Sequence, residues 1–236
     1  MQNNDKLSYT LRQKIENFWY HHRFATIAVC FVVFVLLWTV ISSIGKGGEE
    51  AYIGYIGEYA YSHSETQDIS EKMSSALGVD FDGDGKTKIE FVPTHYYSSS
   101  QIEELSTKEL DEGEDLQFHP ALNRKNYENF EREIENGSVY VWFVSKEVYE
   151  SMDKDLLMPI SDVLGYELES GAVDEYAVDC SSLSFSHDTI RAVTYNTYLV
   201  MRGNRNFSFI MGQEAVQREL EQSCELFRSI VKYKKK

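Results

Sequence analysis

Asp80-Phe81-Asp82-Gly83-Asp84-Gly85, with Glu90 a few residues on, sets three carboxylates at alternate positions ahead of a glycine turn. Calcium takes several hard oxygen ligands, and this spacing is how calcium-binding loops aim their first carboxylates at one ion. The pattern departs at its end. The position where the loop's last acid belongs is Phe91, and the acid comes one residue early, at Glu90. The loop also joins an expected helix to an expected strand rather than to a second helix. Asp80, Asp82, Asp84 and Glu90 are therefore candidate calcium ligands in a structural role. The competing reading is an acidic surface turn, because Asp-Gly is favoured turn chemistry with or without an ion. No other cofactor is indicated.

Few other residues are spaced for chemistry. Ser184, His187 and Asp188 bring nucleophile, base and acid types together, but a triad is assembled in space from separated positions, and neighbours on one chain point apart. The six histidines (21, 22, 63, 95, 119 and 187) show no metal-ligand spacing, and His21 and His22 read as interfacial residues beside an apolar run. No nucleophile elbow, phosphate loop or dinucleotide fingerprint is present. No catalytic residues are assigned and the chain is not read as an enzyme. Cys180 and Cys224 lie outside the apolar run and are open to two readings, a disulfide in an oxidising exterior or a buried thiol at Cys224. Tyr52, Tyr55, Tyr59, Tyr61, Tyr96 and Tyr97 cluster, as a stacking surface for sugars or peptides or, more simply, as strand and core packing. Asn136 and Asn206 head glycosylation sequons, meaningful only in a host that uses them.

The elements that must position these residues begin with Phe24–Ile44, which is uncharged throughout. At ~1.5 Å rise per residue this helix is roughly 32 Å long, enough for a hydrocarbon core of roughly 30 Å. Phe18, Trp19 and Tyr20 at one end and Trp38 near the other suit the two interfaces. Ahead of the run Lys6, Arg12, Lys14 and Arg23 outnumber Asp5 and Glu16, whereas the chain as a whole carries −15. The basic flank belongs in the cytoplasm, which places the acidic remainder outside. The run is too long for a signal-peptide core and lacks a small-residue cleavage site, so it reads as an uncleaved anchor in the lipid bilayer. The expected organisation is a cytoplasmic tail (residues 1–23), a single-pass transmembrane helix (24–44), a linker (45–50) and one extracytoplasmic domain (51–236). Nucleic acid is excluded as a partner by the acidic balance, since phosphate binding needs surplus Lys and Arg.

Within 51–236 the patterning alternates. Ala51–Tyr59 has strand character, with Gly54 and Gly57 marking weakness or a close backbone approach. Ser64-Glu65-Thr66-Gln67 matches a capping box opening a helix through Ile69, Met73 and Leu77, with Gly78 as its stop. Lys88–Pro93 reads as a strand, Ser98–Gly113 as a polar surface excursion with a helical piece, and Tyr127, Phe130 and Ile134 as one face of a helix ending at Gly137. Ser138–Val144 is an unbroken apolar run, as in a strand covered on both faces. A short helix over Lys146–Met152, strands at Tyr176–Asp179 and Ala192–Met201, and a final helix over Gln213–Lys232 complete an α/β fold with a mixed or mostly parallel sheet flanked by helices.

Ser138–Leu164 (SVYVWFVSKEVYESMDKDLLMPISDVL) resembles a passage of bacterial extracellular solute-binding proteins of the periplasmic-binding-protein-like class II type. There an apolar strand leads to a short helix, a turn, then leucine, proline and an acid. The matching residues are Val139–Val144, Val148, Met152, Leu157, Pro159, Ile160 and Asp162, with Asp155-Leu156 where the glycine usually stands. The whole is similar to membrane-anchored extracytoplasmic proteins of Firmicutes that carry such a domain. The resemblance implies a binding module for a small molecule, glycan, peptide or protein, without catalysis. Two full lobes need roughly 300 residues, since each needs a core of ~100–150. The residues after the anchor suffice for one lobe, so the family's interlobe ligand site does not carry over. The alternative is a structural accessory subunit of a membrane or envelope assembly, with no small-molecule ligand.

Overall fold

The computed structural model describes residues 10–44, 51–81, 85–112, 118–168, 170–188, 190–203 and 213–234. The chain divides into two compact units, Met1–Gly48 and Glu49–Lys236. The expected linker, residues 45–50, lies outside the described residues.

The first unit is α1 (Leu11–Ile44). Its apolar residues, Phe18, Phe24, Phe31, Phe34 and Leu36 among them, are exposed. The transmembrane helix expected over Phe24–Ile44 lies within α1, and the side chains of residues 38–44 lie outside the described residues. Among the described residues no single helix is long and apolar enough to cross a membrane. A pair bent by 55°, Phe18–Phe24 with Thr26–Leu37, meets the length and composition together. No Pro or Gly lies in Phe18–Leu37, so the usual sequence causes of a kink are missing there.

The second unit is an α/β domain on a mixed five-stranded sheet ordered β2-β1-β3-β5-β4. The strands are β1 (Ala51–Gly57), β2 (Ile89–His95), β3 (Val141–Ser145), β4 (Ala177–Asp179) and β5 (Thr197–Met201). β1 runs parallel to β2 and β3, whereas β5 pairs antiparallel with β3 and β4. The helices are α2 (His63–Leu77), α3 (Ser99–Glu112), α4 (Pro120–Asn136), α5 (Lys146–Ser151), α6 (Ile160–Leu164), α7 (Ser184–Asp188), α8 (Arg191–Thr194) and α9 (Gln213–Val231).

Strand alternation sorts the core onto two faces. Ile53, Tyr55, Phe91, Val141, Phe143 and Leu199 pack with Ile69 and Met73 of α2, Val163 of α6, Phe185 of α7, Val193 of α8 and Phe227 of α9. Ile56, Trp142, Val144 and Val200 pack with Phe130 and Ile134 of α4 and Val148 of α5. Every residue of β3 is buried, as its unbroken apolar run predicts for a strand covered on both faces. Gly54 marks a close approach, because a Cβ there would collide with the Trp142 ring. Pro93 sits in β2, an edge strand, where a missing amide donor is tolerated.

Three expectations need correction. The capping box lies two residues earlier than expected. The Ser62 hydroxyl accepts the Glu65 amide at 3.3 Å, and Glu65 Oε2 accepts the Ser62 amide at 2.8 Å. Both registers satisfy the motif, and the one that starts the helix earlier wins. The strand expected over Ala192–Met201 begins only at Thr197, because Arg191–Thr194 forms α8 and Asn196 takes a positive φ of 56°. Asn is one of the few residues that tolerates that conformation, and its place amid β-branched neighbours is the missed break. The polar excursion after Ser98 is a helix, α3, over most of its length.

Candidate functional site

The parallel strands β1, β2 and β3 end on one edge of the sheet, at Gly57, His95 and Ser145. β1 leads into α2 on one face, while β2 leads through α3 to α4 on the other, so the connections part between β1 and β3. Open α/β sheets bind ligands at such a switch point, outside the carboxyl ends of the strands. This edge is therefore where a site belongs.

Between β1 and β3 the crevice is filled from within. A Cβ on Gly57 would collide with the Tyr55 phenol and lie 3.3 Å from Ser145 Cβ, so the glycine is what lets Tyr55 fold over the strand end. The Tyr55 oxygen accepts the Tyr59 amide at 3.3 Å and a hydrogen bond from the Tyr61 hydroxyl. Burial pushes the Tyr55 hydroxyl up to about 12, with the Glu58 and Glu147 carboxylates adding to it, and burial pushes Tyr61 higher still. Both phenols stay protonated at physiological pH and serve as neutral packing groups.

Beside them the charged residues are already engaged. Lys146 Nζ lies 3.4 Å from Asp179 Oδ2 and 5.1 Å from the centre of the Tyr198 ring. Asn196 Nδ2 donates to Glu147 Oε1 at 3.1 Å, and the Lys146 amide donates to the Asn196 carbonyl at 3.2 Å. Among the described residues Glu147 Oε2 is buried without a partner. The Ser145 hydroxyl accepts the Val148 amide at 3.4 Å, a helix cap and not a nucleophile held by a base.

The exit of β2 differs. Asn123 Oδ1 accepts the Tyr97 amide at 2.8 Å, and Asn123 Nδ2 donates to the Tyr97 carbonyl at 2.9 Å. Asn126 Nδ2 donates to the His95 carbonyl, also at 2.9 Å. These three bonds fasten the strand exit to the first turns of α4. They leave a small open cleft of about 60 Å³, lined by His95, Tyr97, Phe118, His119, Leu122 and the two asparagines. The His95 ring stands edge-on to Tyr97 at 4.7 Å. Among the described residues its buried Nε2 has no hydrogen-bond partner. Burial holds the imidazole below its ordinary value, so it is neutral near pH 7. Nothing local in the sequence distinguishes His95. Its setting depends on amides contributed by α4, some thirty residues along the chain.

The residues singled out by spacing are placed as follows. Asp82 and Asp84 lie outside the described residues. Asp80 Oδ2 accepts the Gly85 amide at 2.9 Å, with Gly85 at a φ of 79°, so this carboxylate closes its own turn. Glu90 is exposed in β2 between the buried Ile89 and Phe91, hence on the opposite side of the strand from both. Among the described residues no group of three or more His, Cys, Asp or Glu side chains is arranged to hold a metal ion. Cys180 and Cys224 are both free thiols. Cys180 is fully buried, and its thiol is pushed up to about 12 by desolvation, while Cys224 Sγ lies 4.0 Å from Met201 Sδ. The Ser186 hydroxyl is committed to the Cys180 carbonyl, and the side chains of His187 and Asp188 lie outside the described residues, as does Asn206. Of the clustered tyrosines only Tyr59, 46% exposed, faces solvent broadly. Tyr55 is buried, and Tyr52, Tyr61 and Tyr96 pack against the two cores. No protein-family model, curated protein or solved structure matches this chain.

Proposed function

We propose that this protein is a single-pass, membrane-anchored binding module that displays one solute-binding-protein-like α/β lobe outside the cell and turns nothing over. The observation that carries this reading is α1. A helix with Phe24, Phe31, Phe34 and Leu36 all exposed needs an apolar surrounding, and a bilayer supplies one. The basic residues before it and the acidic balance after it set the direction. The carboxyl ends of β1, β2 and β3 form the ligand-facing edge, by the general placement of sites in open α/β sheets. Protease added to intact cells making the full chain tests the anchoring. The acidic domain should be digested while an epitope ahead of residue 11 survives until lysis. A domain protected in intact cells, or one recovered whole in the medium, overturns the reading.

A second reading, an accessory subunit without a small-molecule ligand, is favoured by one specific observation: Tyr55 and Ser145 occupy the crevice between β1 and β3. Native electrophoresis of detergent-solubilised membranes separates the two. An accessory subunit migrates within a larger complex, whereas a free-standing binding module migrates as this chain alone or as a small oligomer of it.

A further inference from the structure

All 38 Asp and Glu residues of the chain lie at or before Glu225. After it come Arg228, Lys232, Lys234, Lys235 and Lys236 with no acid among them, a local reversal of sign in a chain of net charge −15. The helix dipole favours cations in the last turn of α9, which Arg228 occupies, but that effect fades beyond the turn, and the lysines follow it. Arg228 is also engaged, its Nε donating to the Val163 carbonyl at 2.7 Å. We infer that the end of α9, with Lys232, Lys234 and the neighbouring Tyr166, is a second membrane contact that lies on anionic lipid headgroups. This rests on the reading of α1 as a bilayer anchor.

The side chains suit a headgroup layer. Lys232 and Lys234 are exposed, and among the described residues neither forms an ion pair, whereas Lys72 meets Asp68 and Lys146 meets Asp179. Lys232 Nζ stands 5.2 Å from the centre of the Tyr166 ring, and Tyr166 is 43% exposed. An exposed tyrosine beside a lysine is the pairing favoured at a membrane interface. The cations are held in place as well. Tyr233, between the two lysines, packs edge-on against the buried Phe185 at 5.3 Å, so little ordering is needed on contact.

The bilayer is also the anionic surface within reach. Glu219, Gln222 and Ser223 of α9 line one cavity with Ala51, where β1 starts. From Ser223 to Lys232 the helix rises only about 14 Å. Residues 45–50 join α1 to Ala51, and a chain of that length spans at most roughly 20 Å. A bilayer holding α1 therefore presents its headgroups close to this end of the domain. The acidic balance of the rest does not forbid the contact, because at physiological ionic strength charges more than about 8 Å away are largely screened.

The test is NMR of the ¹⁵N-lysine-labelled full chain in nanodiscs carrying a trace of gadolinium-chelate headgroup lipid. Discs of phosphatidylcholine alone are compared with discs containing phosphatidylglycerol. Paramagnetic relaxation of the Lys232 and Lys234 amides should be several-fold stronger in the anionic discs, each lysine contributing about fivefold to the ratio of bound to free populations. Lys125, on α4 across the sheet, is the reference amide and should not respond. The difference should vanish in 0.5 M NaCl, where screening shortens to about 4 Å. It should also shrink in Lys234→Gln and more so when Lys235→Gln and Lys236→Gln are added, exposed changes that leave the fold intact. Equal relaxation in the two discs, or a difference that survives the substitutions or the salt, overturns the inference. So does a salt-sensitive dependence on protein concentration in phosphatidylcholine discs alone, which would give the lysines to the acidic surface of a second copy. A chain that fails to co-elute with phosphatidylcholine discs overturns the anchor and this inference together, whereas loss of the phosphatidylglycerol effect alone leaves the anchor standing.

Discussion

Two places on the same edge of one sheet have been treated in opposite ways. Between β1 and β3, where the topology puts a ligand, Tyr55 lies over Gly57 and accepts from Tyr59 and Tyr61, so the protein is its own occupant. At the exit of β2 the backbone is pinned just as firmly by Asn123 and Asn126, yet a small cleft stays open there and, among the described residues, His95 Nε2 is buried without a partner. Topology names the edge, and side-chain size then decides which part of it stays vacant. A switch point is a location and becomes a pocket only where the strand-end residues leave room.

The contrast breaks most visibly at Tyr55. Tyr55→Ala removes a buried aromatic from the crevice and should cost about 3–5 kcal/mol, the usual range for truncating a core aromatic. Leu122→Ala at the rim of the other cleft should stay within ~0.5 kcal/mol, as exposed changes do. Urea unfolding of both variants measures the difference, and comparable losses would mean the two places are not packed differently. Gly57→Ala comes next. Its Cβ forces the Tyr55 phenol off the strand end, an overpacking expected to cost about 1–3 kcal/mol. In a Tyr55→Ala background most of that cost should vanish, since the colliding group is gone, and a double-mutant cycle reads the coupling directly. An additive pair would show that Gly57 is constrained by something other than Tyr55.

Asn123→Ala should cost less, about 1–2 kcal/mol, for two neutral hydrogen bonds to partly exposed backbone. Its signature is local. The Tyr97 amide, bonded to Asn123 Oδ1, should exchange with solvent faster than in the wild type, while amides of β3 keep their protection. Uniformly faster exchange would instead make Asn123 part of the global core.

What could be read from the residues follows the range of the interaction. β3 was legible because Val141–Val144 are buried on both faces, and burial of both faces writes itself as an unbroken apolar run. Gly54 was legible as a close approach, although its partner, Trp142, was not, since no local pattern says which side chain arrives from another strand. The capping box was found in the wrong register because Ser62 and Ser64 both have an acceptor side chain three residues on, and only the helix start chooses between them. The strand over Ala192–Met201 was read too long because its β-branched and aromatic composition masked Asn196, whose positive φ ends α8's turn and starts β5. The cleft was not legible at all. Its walls come from the end of β2 and the start of α4, and an unpartnered buried nitrogen is a property of three-dimensional surroundings with no signature in residue type. The acidic loop is the opposite case: its motif is conspicuous in the sequence, Asp80 accepts the Gly85 amide, and Asp82 and Asp84 lie outside the described residues.

The smallest expected effect tests the neutral state of His95. Burial lowers its folded pKa beneath the unfolded value of about 6.5, so the unfolded chain takes up a proton first as the pH falls. The contribution is therefore fully present above about pH 6.5, and it is lost progressively as the pH drops from there toward the folded pKa. Carboxylates titrate in the same direction at lower pH, so the informative quantity is a difference between proteins. Between pH 7.5 and 5.5 the urea midpoint of the wild type should fall further than that of His95→Phe, which has no proton to take up at this position. The ring is partly exposed, so the extra fall is a fraction of the total rather than a collapse. Parallel pH profiles for the two proteins would mean that His95 meets water freely, and the difference between the two ends of the sheet edge would then be one of shape without chemistry.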